Sequence, residues 1–232
     1  LPAGASEDEH LGLLGLLNSS VACFWLKQVC FNKGMGEQPW ADRYEHDSGK
    51  VAELPLPTSR PLEVGRRLDR LARDINDCLP AARFYAAAEG SQPLPRRQAL
   101  DEMRDRAAEL RRQAIAWQEE IDWHCYHLYG LLPAGGDSST YEHLAAPEVA
   151  HGERAFEIVL ARRMAAGTET TTWFERHGST PTTEIPARWP EDYRQVVQRR
   201  IDLIERDRNI GLIERPEYKR RWNTPSWESL EQ

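Results

Sequence analysis

The sequence predicts a mainly α fold: a helical body with a long antiparallel coiled-coil-like hairpin, and a small β-containing loop region near residues 34–58. Three observations carry this. Apolar residues recur at three- and four-residue steps in several stretches, the period of a helix face. Two stretches, Val64–Cys78 and Leu100–Ile121, alternate those steps as a 3.5-residue seam, which lets helices pack along their length. Proline, glycine and an Asp-Ser-Gly turn signal gather between Gly34 and Thr58, where strands are expected.

The elements follow in chain order. Leu11, Leu14, Leu17, Val21, Phe24 and Cys30 predict one helix ending near Asn32-Lys33-Gly34. Within the loop region, Val51 and Leu54 predict a brief strand leading to Leu54-Pro55-Leu56-Pro57. Val64, Leu68, Leu71, Ile75 and Cys78 give the first arm of the helical hairpin, and residues from about Arg96 to Tyr129 the second, with Pro80 to Pro95 as the bend. Arg104, Arg106, Arg111 and Arg112 interleave with Asp101, Asp105 and Glu109, which reads as a solvated face. Glu119, Glu120 and Asp122 are read the same way. Pro133 to Gly136 is a linker, Glu153–Ala166 a helix, and Pro190 starts a helix with Tyr193, Val197, Ile201 and Ile204 on its core face. Gly211 ends that helix. Three units are expected: residues 1–60, the helical spacer 61–132, and a C-terminal helical subdomain 133–232.

With Lys+Arg 30 against Asp+Glu 37, the chain is not a basic nucleic-acid coat. Leu11–Leu26 contains Asn18, Ser19 and Ser20 before meeting Lys27, so it is short for a membrane span. The acidic start Ser6–Glu9 lacks the basic n-region of a signal peptide, and a cytoplasmic location is expected. Cys23, Cys30, Cys78 and Cys125 form no C-x-x-C pair and read as reduced thiols. His124, Cys125 and His127 lack a second ligand pair with zinc spacing, so no metal is expected. No nucleophile turn, phosphate loop or zinc helix occurs. The chain starts at Leu1 without methionine, which predicts a piece of something longer.

Short motifs in a specific order carry a resemblance. Leu13 to Ser20, then Cys23 to Gln28, resemble the opening of the region after the catalytic core in large adenine-specific DNA methyltransferases. Ser48-Gly49-Lys50-Val51, Leu54 to Pro57, and the Ile121-Asp122 element with Tyr126, Leu128, Tyr129, Gly130 and Leu131 continue it. Trp173–Pro186 and Arg208–Trp222 resemble the C-terminal end of the PglX-type methyltransferases of phage-growth-limitation and BREX defence systems. The resemblance implies a target-recognition and helical-spacer segment related to fused restriction-modification enzymes. S-adenosylmethionine is then expected in a separate catalytic domain and no cofactor in this chain. The glycine-containing cofactor loop and the Asn-Pro-Pro-Tyr element of that family do not occur, and Asn223-Thr224-Pro225 does not match the latter. The implied partner is DNA, held in the context of the whole enzyme, with defence-system proteins as further partners and no membrane.

The candidate DNA contacts are Asn32, Lys33, Arg43, Tyr44, Lys50, Thr58 and Arg60, because loop side chains reach base edges and phosphates. Three of the four lysines, Lys27, Lys33 and Lys50, lie in or beside this window, although residues 1–60 as a whole are acidic. Lys219, Arg220 and Arg221 are a candidate secondary contact. The competing reading is a helical protein-interaction or scaffold module of the same defence complex. It rests on the acidic balance, the long hairpin, and Trp40, Trp189, Trp222 and Trp227 near loops, with Trp25, Trp117 and Trp173 as core.

Overall fold

A computed structural model describes residues 4–90, 95–133, 140–143, 145–222 and 225–231. The first expected helix is two helices, α1 (Glu7–Leu17) and α2 (Ser20–Val29). Between them Asn18 turns its amide back to the Leu14 carbonyl, and the Ser19 hydroxyl caps the Ala22 N–H. Polar side chains that satisfy backbone groups locally end one helix and start the next. The chain then forms a two-stranded antiparallel sheet from β1 (Phe31–Gly34) and β2 (Arg43–Glu45). The expected strand at Val51 is instead a short helix, α3 (Ser48–Ala52), started by the Asp47 carboxylate on the Gly49 N–H at 2.6 Å.

The two seams form the expected helices, α4 (Leu62–Asp77) and α6 (Arg97–Leu128), the latter about 48 Å long at 1.5 Å per residue. They run antiparallel: Arg67 stacks on Trp117, while Cys78 lies near Arg106. Leu71, Leu110, Ala114 and Trp117 form their shared core. The expected bend contains a further helix, α5 (Pro80–Ala88); residues 91–94 of it lie outside the described residues, as do 134–136 of the expected linker and Asn223-Thr224.

Beyond these come α7 (Ala155–Ala165), α8 (Trp173–Arg176), α9 (Glu191–Arg206), α10 (Arg208–Ile213) and α11 (Trp227–Leu230). Gly211 does not end α9 but lies inside α10, where a Cβ would meet the Ile204 carbonyl oxygen at 2.7 Å. A new helix starts there because the Asp207 carboxylate caps the N–H groups of Asn209 and Ile210. The larger core joins the N-terminal helices to the C-terminal part: Leu16, Leu54, Ile121, Phe156, Trp173 and Ile201 belong to a single buried cluster. Trp40 and Trp189, expected near loops, are buried in it, and Trp222 packs against it. Among the described residues no helix is long and apolar enough to cross a membrane.

Candidate nucleic-acid interface

The hairpin positions four of the expected contacts. Its register pairs Asn32 with Tyr44 and Gly34 with Arg43, leaving Lys33 in a bulge. Asn32 donates to the Asp42 carboxylate at 3.1 Å and accepts from the Gly34 N–H at 2.7 Å, so its amide works inside the hairpin. Tyr44 lies under the Lys27 ammonium, 4.9 Å from ring centre to nitrogen, and Lys27 donates to the Glu217 carbonyl at 2.6 Å. Burial lowers the Lys27 pKa. Phe31, Lys33, Arg43 and Glu45 are exposed. Lys33 pairs with Glu45 at 3.0 Å, whereas Arg43 makes no ion pair among the described residues. Beside the hairpin is a cleft of ≈ 450 Å³, lined in part by Met35, Trp40, Arg43, Thr172 and Arg176.

The other candidates sit on different elements. Lys50 is on α3 and pairs with Glu53 at 3.1 Å. Thr58 is exposed in the connection to α4; Arg60 donates to the Pro57 carbonyl at 2.8 Å and packs against Gly12. Arg220 donates to Asn18 at 2.7 Å and stacks on Trp222, and Arg221 is exposed. Lys219 is not a surface cation. It is 4% exposed, with its ammonium 2.8 Å from both Asp122 and Glu214 and 3.4 Å from Glu119.

That pocket also corrects the reading of Glu119, Glu120 and Asp122 as a solvated face: all three are buried. The signal was their setting, since Ala114 to Trp117, Ile121 and Trp123 make this part of α6 apolar on every side. Five buried acids (Glu119, Glu120, Asp122, Glu157, Glu214) face three buried bases (Arg154, Arg200, Lys219) among the described residues. Arg154 grips Glu157 with two bonds of 3.0 and 2.8 Å, and Arg200 meets Glu120 at 2.7 Å. Burial pushes the Glu119 carboxyl up to about 7, against the pull of Lys219. The carboxylates around Lys219 outweigh its burial and hold its pKa above the ordinary lysine value. Arg154, opposing the cost of burial, holds Glu157 down at about 2.

Residues 214–222 thereby act as a strap across the body. Beyond the Lys219 contacts, the Trp222 and Arg220 carbonyls accept from Arg111 at 3.1 Å and Arg154 at 2.9 Å. His124, one of the metal-like trio, pairs with Glu142 at 2.7 Å. Among the described residues no group of three His, Cys, Asp or Glu side chains is placed to hold a metal.

The class defined here is a helical segment closed by a charged strap and bearing a two-stranded β-hairpin. The chain belongs to the family described as a domain of unknown function, DUF7008, which matches residues 114–232, the part holding the acidic pocket and the strap. It is also similar over its whole length to the adenine-specific methyltransferase PglX of Streptomyces coelicolor, at 49% identity over 243 residues. The chain spans 20% of the length of that curated relative, so it corresponds to a segment of it. No solved structure matches the chain.

Proposed function

We propose that this chain is the DNA-recognition segment of an adenine-specific DNA methyltransferase of anti-phage defence, with no catalysis of its own. Catalysis and S-adenosylmethionine belong, in this reading, to the remainder of a longer cytoplasmic enzyme, in line with the one-fifth share of the relative that the chain spans. The observation that carries the reading is the hairpin, a two-stranded element that offers Lys33 and an Arg43 without an ion pair among the described residues, while Asn32 and Tyr44 fix its shape. A two-stranded ribbon fits the width of a DNA groove. Lys50, Thr58, Arg60, Arg220 and Arg221 would touch flanking backbone, and the surrounding acids keep the grip weak outside the whole enzyme. The test is a salt titration of DNA binding by the full-length protein. Replacing Lys33 and Arg43 together should lower the slope of log K against log salt by about 2, one for each phosphate no longer neutralised. An unchanged slope and unchanged specificity would sink the reading.

The second reading is a docking module for another protein of the same defence complex. The exposed apolar side chains Phe31, Met35 and Leu56 favour it. Under it, the same double substitution leaves DNA binding intact and weakens recovery of the partner protein.

A further inference from the structure

Met35 holds a left-handed backbone conformation. Its φ is 69°, and it is the single non-glycine residue with positive φ among the described residues. The left-handed region is unfavourable for an ordinary side chain because its Cβ crowds the following carbonyl oxygen. Burial does not offset this, because the side chain is 82% exposed.

The surroundings impose the strain. Gly34, just before it, is also left-handed at φ 63°. The Gly36 N–H donates to Asp42 at 3.3 Å, and a Cβ on Gly36 would lie 2.7 Å from backbone atoms of Ala41 and Asp42, so the loop folds back tightly at that point. The Gln38 side-chain oxygen then anchors the loop to the body, accepting from Trp40 Nε1 at 2.8 Å, Thr171 at 2.9 Å and the Thr172 N–H at 3.1 Å. A strained residue held by so many fixed neighbours points to a role at that position. Phe31, 69% exposed, lies on the same short hairpin as Lys33 and Arg43.

We propose that Met35 is an apolar wedge that enters between stacked bases and kinks a DNA duplex, while Lys33 and Arg43 hold the flanking phosphates. The inference rests on the recognition reading above and adds a mechanical role to it. Inserted apolar side chains unstack a base step and bend the duplex by about 20–90°. An unbranched thioether suits the task because it conforms to flat faces of either orientation. Fixing the turn beforehand removes the ordering cost that a loose loop would bring at binding.

The experiment uses full-length protein and a 30-base-pair duplex selected by it from random sequence, with a fluorophore on each end. Binding by the unaltered protein should raise energy transfer between the ends, and Met35→Leu should preserve that rise. Met35→Ala should abolish it while changing affinity by less than about tenfold, and Met35→Gly, which relieves the strain, should melt no lower than the unaltered protein. The double change of Lys33 and Arg43 should weaken affinity by roughly tenfold or more in low salt. Retained energy transfer in Met35→Ala overturns the wedge and leaves recognition standing, as does binding by the unaltered protein without any rise. A lower melting temperature for Met35→Gly shows that Met35 packs against protein and also overturns the wedge. Failure to select any duplex removes the recognition reading, and the wedge with it.

Discussion

The second half of α6 and the β-hairpin use the same side-chain types to opposite ends. Around Glu119 and Asp122 the charges are buried and each base is taken up by a buried acid, so that Lys219, Arg154 and Arg200 each serve the body's own architecture. On the hairpin the charges stand in water, and Arg43 has no ion-pair partner among the described residues. A cation's availability to an outside ligand is therefore decided by its place in the fold, and a basic run such as Lys219-Arg220-Arg221 mixes both kinds.

The contrast breaks most visibly at Lys219. Lys219→Ala leaves Asp122, Glu214 and Glu119 without their cation, and removing one partner from a buried charge group costs about 3–5 kcal/mol. Urea unfolding should show that loss in full; a change under 1 kcal/mol would mean the pocket is wet and loosely held. Glu119→Gln sharpens the same region from the other side. Because the folded pKa of Glu119 is raised, its contribution is intact below about 4.5 and lost as pH rises to about 7. The glutamine variant should thus be more stable than the parent at pH 8, by on the order of 3 kcal/mol, and equal to it near pH 4. Thermal melts at the two pH values check this, and a gain that is larger at pH 4 reverses the sign.

The hairpin should respond more gently. Asn32→Ala removes the link to Asp42 and the acceptor for the Gly34 N–H, at a cost of about 1 kcal/mol, seen first as faster amide exchange in residues 31–45. Arg43→Ala, smallest of all, should shift stability by less than about 0.5 kcal/mol while weakening DNA binding in low salt. A stability loss above 1 kcal/mol would place Arg43 with the interior group and erase the distinction.

The sequence makes periodic features readable and hides those that depend on burial. The seams of α4 and α6 show because their period is that of packed helices, and Tyr193, Val197, Ile201 and Ile204 are all buried as their spacing implies. The break at Asn18-Ser19 and the start of α3 at Asp47 escape a reading based on apolar spacing, since single polar caps decide both. Glu119, Asp122 and Lys219 escape it because acids and lysines are exposed by default, and their mutual attraction spans 97 residues between Asp122 and Lys219. Of the candidate contacts, Asn32, Lys33, Arg43 and Tyr44 do share one hairpin, but the pairing that ties Asn32 to Asp42 and tucks Tyr44 under Lys27 while leaving Arg43 in water exists only in three dimensions.

The long separation of Asp122 from its ammonium also sets an order of events during synthesis. The ribosome releases α6 and its carboxylates well before the strap, so a nascent chain lacks the ammonium on which the pocket closes. Collapse of this half of the molecule must then wait for residues 214–222 to emerge, or proceed with the acids protonated or hydrated. The strap would act as a late checkpoint on translation, and chains cut short before Lys219 should be preferred targets for proteases.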